Sequence, residues 1–208
     1  MTDFADFKAQ IKDWANRGDW DDLLTTSYVR MAEQKFNQDL RIDRQIKFQE
    51  ALVSSRCAPL PDDWLQMTLV QFPSGRTPSG YVPIRYKSND EFFNLLDANS
   101  LNYYTIQGRQ VYLGGTPDTT EGQVLRLTYY GEVPVFSDTV PSWVYTKYPS
   151  LYLFAALMHA DLHAVGEETT ALGLKSQVDD IISKLNAQHL FSKASGSRVT
   201  RTRTRSFG

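Results

Sequence analysis

An α+β fold is predicted for this chain of 208 residues: mainly an α-helical bundle, with a small inserted β-rich domain and an extended basic C-terminal tail. Three observations predict it. Apolar residues recur every three or four positions before Arg44 and again after Pro141, the repeat of a helix face. Between about residues 45 and 135 that period falls to two and turn-forming residues crowd in, the pattern of short strands. The last sixteen residues, Lys193 to Gly208, hold one lysine, four arginines and no acid.

The first helix is predicted over residues 2–16, where Phe4, Phe7, Ile11 and Trp14 share a face and Gly18 ends the run. A second runs from about Trp20 to Leu40, on an imperfect stripe of Leu23, Leu24, Ser27, Tyr28, Met31, Phe36 and Leu40. After Arg44, Ile46, Phe48, Glu50 and Leu52 alternate with polar neighbours, Glu50 being the exception on an apolar face. Pro59 and Pro61 bracket a break, and Asp62 to Leu65 reads as a single helical turn. Met67 to Phe72 is a strand partly buried on both faces, residues 73–80 form a loop, and Val82 to Tyr86 is another strand.

Ser88 and Glu91 fit a capping box that opens a short helix over about 89–97, expected to bury Phe92, Phe93, Leu95 and Leu96. Tyr103–Ile106 and Gln110–Leu113 are strands joined at Gln107-Gly108, and Val124 to Tyr129 adds a third in a meander. Helix resumes at Pro141, which suits the first helical position, and Pro149 restarts it. From Ser150 to Ala164 the chain is apolar nearly all round, so this helix belongs at the centre of the bundle. The last helix spans about Glu167 to Phe191 on Leu172, Leu174, Val178, Ile181, Ile182, Leu185 and Leu190. The expected organisation is therefore a bundle from 1–44 and 136–193, an insertion at 45–135 and a tail at 194–208, with no internal repeat.

Composition bounds the function. Hydrophobic residues make up 41% and charged residues 22%, ordinary globular values that allow a real core. Eleven Tyr, eleven Phe and four Trp hint at assembly, because Tyr and Trp join large contact area to a polar handle. The lone Cys57 excludes an intrachain disulfide and any multi-cysteine metal site. No basic segment leads into an apolar run at the N-terminus, so no signal peptide is expected. The longest apolar stretch, Leu151 to Met158, is too short to span a bilayer, and a soluble, cytosol-made chain with no membrane partner is expected.

Charge is strongly segregated. The whole chain has 22 basic and 24 acidic side chains; removing the five cations of the tail leaves 17 against 24, so the body carries about −7 and the tail +5. The tail has almost nothing apolar to bury and should not fold alone. Its Arg/Thr alternation places Arg201, Arg203 and Arg205 on one face of an extended chain, which suits laying a strand into a partner's groove or along its sheet edge. The plainer reading is a frayed, solvated terminus.

Residues that could carry chemistry do not converge. His159 and His163 lie four apart on one helix, the spacing of a zincin helix, but His159 is followed by Ala160 rather than the glutamate that serves as base. No third ligand is evident, so they read as polar spots on a packed helix or an inter-subunit contact. Gly114-Gly115-Thr116 and Gly75-Arg76-Thr77 lack the Gly-Lys-Ser/Thr of a phosphate loop and read as turns. Asp62-Asp63 suits a first helical turn and Asp179-Asp180 a solvated face, neither with a matched acid–base partner. Cys57 shows no sign of activation and reads as a buried thiol. No catalytic residue, metal site or cofactor is expected.

The order of segments is nevertheless distinctive. Pro59-Leu60-Pro61-Asp62-Asp63-Trp64-Leu65 opens the β-rich part; Tyr103 to Leu113, reading Y-Y-T-I-Q-G-R-Q-V-Y-L, and then Leu127-Thr128-Tyr129-Tyr130 close it. A Pro-punctuated link (Val133-Pro134 to Pro141-Ser142-Trp143) leads to Tyr148-Pro149-Ser150-Leu151-Tyr152. Over most of its length the chain resembles the head-to-tail adaptor proteins of tailed bacteriophages. That resemblance implies a dodecameric ring beneath a portal protein ring, in the virion neck, assembled in the bacterial host cytoplasm. It implies no active site, a lumen that passes genomic DNA without specific binding, and a lower face that takes tail or nozzle proteins. It also implies that the C-terminal segment clasps the portal, with Arg198, Arg201, Arg203, Arg205 and Phe207 as docking residues. Two other classes stay open: a nucleic-acid-binding module that sets the basic tail on phosphates, which the acidic body opposes, and an enzyme with a dispersed site, for which no motif speaks.

Overall fold

The computed structural model describes residues 4–74, 80–94, 102–115, 120–162 and 168–196. The chain is α+β and divides into two compact units, Met1–Asp43 with Val133–Gly208, and Arg44–Glu132.

In the helical unit, α1 (Phe4–Trp14) buries Phe4, Phe7 and Ile11, the three-and-four spacing of its sequence. The next helix, α2 (Asp22–Asp39), is capped by Asp21, whose carboxylate accepts from the Leu24 amide at 2.6 Å. It stops where Leu40 turns extended. A short α4 (Trp143–Lys147) follows the other unit in sequence, and then α5 (Pro149–Ala160) and α6 (Glu168–Gly196). Eight of the twelve residues of α5 are buried, and it packs on α1, α2, α4 and α6, so it is the central helix of this unit. Its aromatic core meets edge-on: Tyr152 lies 5.1 Å from Phe7 and 5.0 Å from Phe36, ring to ring. Such pairs are worth about 0.5–1.5 kcal/mol beyond their burial.

Three expectations for this unit change. On α2, Leu23 is 79% exposed and Met31 also faces water; the buried face is Thr25, Tyr28, Val29, Ala32, Glu33 and Phe36. Two of those six are polar, which hides the true stripe from a count of apolar residues. On α6, Leu172 and Leu190 face solvent while Ala171, Val178, Ile182 and His189 turn inward. Pro141 lies outside α4, which Ser142 caps by accepting from the Tyr145 amide at 3.3 Å.

The second unit is a seven-stranded sheet. Its strands are β1 (Ile46–Leu52), β2 (Cys57–Pro59), β3 (Trp64–Pro73), β4 (Tyr81–Tyr86), β5 (Tyr103–Gln107), β6 (Gln110–Leu113) and β7 (Val124–Gly131). Their order across the sheet is β1-β7-β3-β4-β5-β6-β2. All pairs are antiparallel except β4 with β5, whose crossover contains the short α3 (Asn89–Asn94). Ser88 caps α3, its hydroxyl accepting from the Glu91 amide at 3.4 Å; Phe92 is buried, Phe93 is exposed, and Leu95 and Leu96 lie outside the described residues. The β5–β6 hairpin turns through Gly108 at φ +61°, a conformation that glycine adopts without strain.

The sheet overturns the expected meander. Instead of joining β6, β7 lies between β1 and β3, and its inward side chains Leu125, Leu127 and Tyr129 are buried. Asp62 to Leu65 is not helical: Asp62-Asp63 form a turn and Trp64 already begins β3. On β1 the anticipated apolar face is the outer one. Phe48 is 59% and Leu52 62% exposed, whereas Ala51, paired with Leu125, packs into the core. The core side of β1 is thus served by its smallest side chain.

Candidate functional site

The docking residues expected from the sequence (Arg198, Arg201, Arg203, Arg205 and Phe207) lie outside the described residues. What the structure describes is the helix that precedes them and the way its end is held. Val178 and Ile182 of α6 reach the apolar core. Lys35 of α2 lies 2.7 Å from Asp179 and 2.6 Å from Asp39. Burial pushes that ammonium down, but the two carboxylates outweigh it, and the net shift is upward.

Beyond Ile182 Leu185 still packs against that core, and polar contacts join it. Asn186 spans the place where α2 breaks: its Nδ2 donates to the Asp39 carbonyl at 2.8 Å, and its Oδ1 accepts from the Arg41 amide at 2.7 Å. His189 Nδ1 lies 2.8 Å from Asp43 Oδ1, and Ser192 Oγ is 3.4 Å from the other oxygen of that carboxylate. Nearby, Leu190 lines a surface groove with Asn186 and Asp39 and is 65% exposed, and Phe191 is 75% exposed. Two large apolar side chains thus stand in water a few residues before the cationic stretch of the sequence. Asn186, His189 and Asp43 were not singled out from sequence. A lone Asn or His on a helix carries no local signal of its partner about 145 residues away.

The residues with potential chemistry remain apart. His159 is half-buried, its Nε2 has no hydrogen-bond partner, and burial, with Lys35 adding to it, pulls its pKa down. His163 lies outside the described residues. Among the described residues, no group of three or more His, Cys, Asp and Glu could hold a metal ion. Cys57 is partly exposed rather than buried, its thiol 3.1 Å from the Ser54 carbonyl.

The aspartate pairs, expected to lack a matched acid–base partner, make ion pairs with lysine and arginine. Asp179 and Asp180 meet Lys35 and Lys184, and Asp62 meets Arg109 at 3.0 Å. Asp63 accepts from Lys47 and, at 2.9 Å, from the Tyr129 hydroxyl. Burial raises the Asp63 carboxyl, but Lys47 and Tyr129 prevail and hold it below its ordinary value. Tyr129 is pushed up to about 12 by burial and by that carboxylate. These are structural ion pairs at the ends of β1, β3 and β7.

A family model described as SU10 adaptor protein matches residues 2–205. The chain belongs to that family of phage adaptor proteins. The match takes in both units of the adaptor and the stretch that contains Arg198, Arg201, Arg203 and Arg205; Phe207 falls beyond it. No curated protein matches the adaptor. Among its described residues, no helix is long and apolar enough to cross a membrane.

Proposed function

We propose that this adaptor is a structural, non-catalytic connector in the neck of the virion. Copies form a ring of twelve beneath the portal, extend the DNA channel and offer an attachment site to tail or nozzle proteins. In this reading, residues 1–44 and 136–193 are the bundle, 45–135 the insertion, and the tail the part that clasps the portal through Arg198, Arg201, Arg203, Arg205 and Phe207. The observation that carries it is the family match over residues 2–205 on a chain whose cations are concentrated at one end.

The physics of the tail fits such a role. Ordering a segment costs roughly 1–2 kcal/mol per residue in backbone entropy, and a tail with only Val199 and Phe207 as large apolar side chains has little of its own to offset that, so a partner would supply the contacts. Guanidinium groups suit that partner if it offers carboxylates or backbone carbonyls, which a planar five-donor fork grips in pairs. A body of about −7 repels phosphate, so DNA in a lumen would slide rather than stick.

The test is native mass spectrometry of the adaptor mixed with the portal ring from the same genome. Because α6 runs to Gly196, the informative truncation removes residues 197–208. A stoichiometric ring complex formed by the full chain and lost on truncation is the expected result. A truncated chain that still decorates portal rings would remove the tail from the mechanism. Tight, salt-dependent duplex binding by the adaptor alone would favour the nucleic-acid reading instead.

A further inference from the structure

We propose that Asn186, His189 and Ser192 form a latch that ties the end of the tail-bearing helix to the connector between the two units, so that the two open together. Asp43 is the last residue of the helical unit and Arg44 the first of the sheet unit, so residues 40–43 are where the chain leaves. The break at Leu40 strips Asp39 and Arg41 of the hydrogen bonds that a continuing helix would have given them. Asn186 supplies both, one with each atom of its amide. The Arg41 guanidinium folds back onto the carbonyls of Asn37 and Leu40, and Asp43 faces His189 and Ser192.

Apolar packing thins toward the end of α6, although Leu185 still touches the core. From Ser183 to Ser192 the only buried residue is His189, and Leu190 and Phe191 face water. A helix end with few apolar contacts opens locally, at a free energy set by its remaining bonds. Here Asn186 and Ser192 hydrogen-bond to residues 39–43, and His189 sets its ring at ion-pair distance from Asp43. The path of the connector and the seating of the tail-bearing helix are therefore one equilibrium. Asn37 strengthens the same corner from the returning chain, its Oδ1 accepting from the Val133 amide at 2.8 Å. If the tail is the docking arm proposed above, a pull on it is felt at residues 40–43. The latch itself does not rest on that reading.

Amide hydrogen exchange of the full-length protein alone tests it, residue by residue, in wild type, Asn186→Ala and Asp43→Asn. In wild type, the Arg41 amide and the amides of α6 from about residue 188 onward should share one opening equilibrium. Asn186→Ala should speed both by about tenfold, as expected for two hydrogen bonds lost at a partly buried corner. Asp43→Asn should speed both by less, and α5 amides should stay unchanged in each. Lys184→Ala, on the exposed side of the helix, is the control and should leave Arg41 at its wild-type rate. Acceleration at Arg41 with an unchanged α6 end, or the reverse, would overturn the latch, as would distinct opening free energies in wild type. Because no portal is present, failure of the portal reading cannot be mistaken for failure of the latch.

Discussion

The hydroxyl of Tyr152 donates to Oε1 of Glu33 across 2.7 Å, and this bond is the centre of a buried polar node. The same carboxylate accepts from the Phe136 amide at 2.6 Å and from Arg30 at 2.8 Å, while Arg30 also donates to the Phe136 carbonyl. One acid on α2 thus holds α5 and the chain returning from the sheet unit. Burial and the nearby carboxylate together push the Tyr152 phenol well above the usual tyrosine range.

Glu33→Ala should accordingly cost about 3–5 kcal/mol, because it leaves the buried Phe136 amide and the Tyr152 hydroxyl without their acceptor and takes one of two partners from Arg30. Tyr152→Phe should cost only about 1–2 kcal/mol, as it removes one donor. Urea unfolding of both and of the double variant checks this; strict additivity would mean that the residues do not share a network.

Gly131 closes β7 where Lys47 and Asp63 meet. A Cβ there would lie 2.6 Å from Lys47 Cδ and 2.9 Å from Asp63 Oδ2. Gly131→Ala should therefore displace that ion pair and destabilise the protein by about 1–3 kcal/mol. An unchanged unfolding midpoint would show that the lysine stem moves aside at no cost.

Acid should weaken the same corner. The Asp63 carboxyl is held low in the native state, so its stabilising contribution is present above the ordinary carboxylate range, near about pH 4. It fades as pH falls through the lower native value. Unfolding free energies measured from pH 7 down to pH 3 should fall less steeply in Asp63→Asn than in wild type. Equal slopes would mean that other carboxylates carry the acid response.

The orientation of β1 makes a contrary pair of predictions. Phe48→Ser should change stability by less than about 1 kcal/mol, since the ring is largely in water. Ala51→Asp should cost several kcal/mol by burying an unpaired charge. Thermal melts that rank the two the other way would mean that the strand presents its other face.

Removing residues 197–208 should leave the melting temperature within about 2 °C of wild type, since that segment brings no apolar side chains except Val199 and Phe207. A larger drop would show that the tail packs on its own chain.

Much of the local structure was legible because its causes are local. Phe4, Phe7 and Ile11 recur at helical spacing and all three are buried in α1. Pro149 at the head of α5, Ser88 before α3 and Gly108 between β5 and β6 act within four residues of themselves. The candidate site was less legible: the tail was marked by charge alone, whereas Asn186 and His189 looked like ordinary helix-surface residues.

The sequence by itself determined where most helices and strands form, though not β2 or the start of β3, that the chain is α+β and, through the order of its motifs, that it resembles a phage adaptor. Tertiary structure decided which faces are buried and which strands are neighbours. Thr25 and Glu33 lie inward on α2 while Leu23 lies outward, because Glu33 finds its partners at Phe136 and Tyr152, more than a hundred residues away. β7 bypasses β6 to pair with β1 residue for residue from Ile46–Tyr130 to Leu52–Val124. Periodicity and caps are written within a turn or two of the chain, but the burial of a polar side chain depends on a partner that only the folded molecule brings within reach.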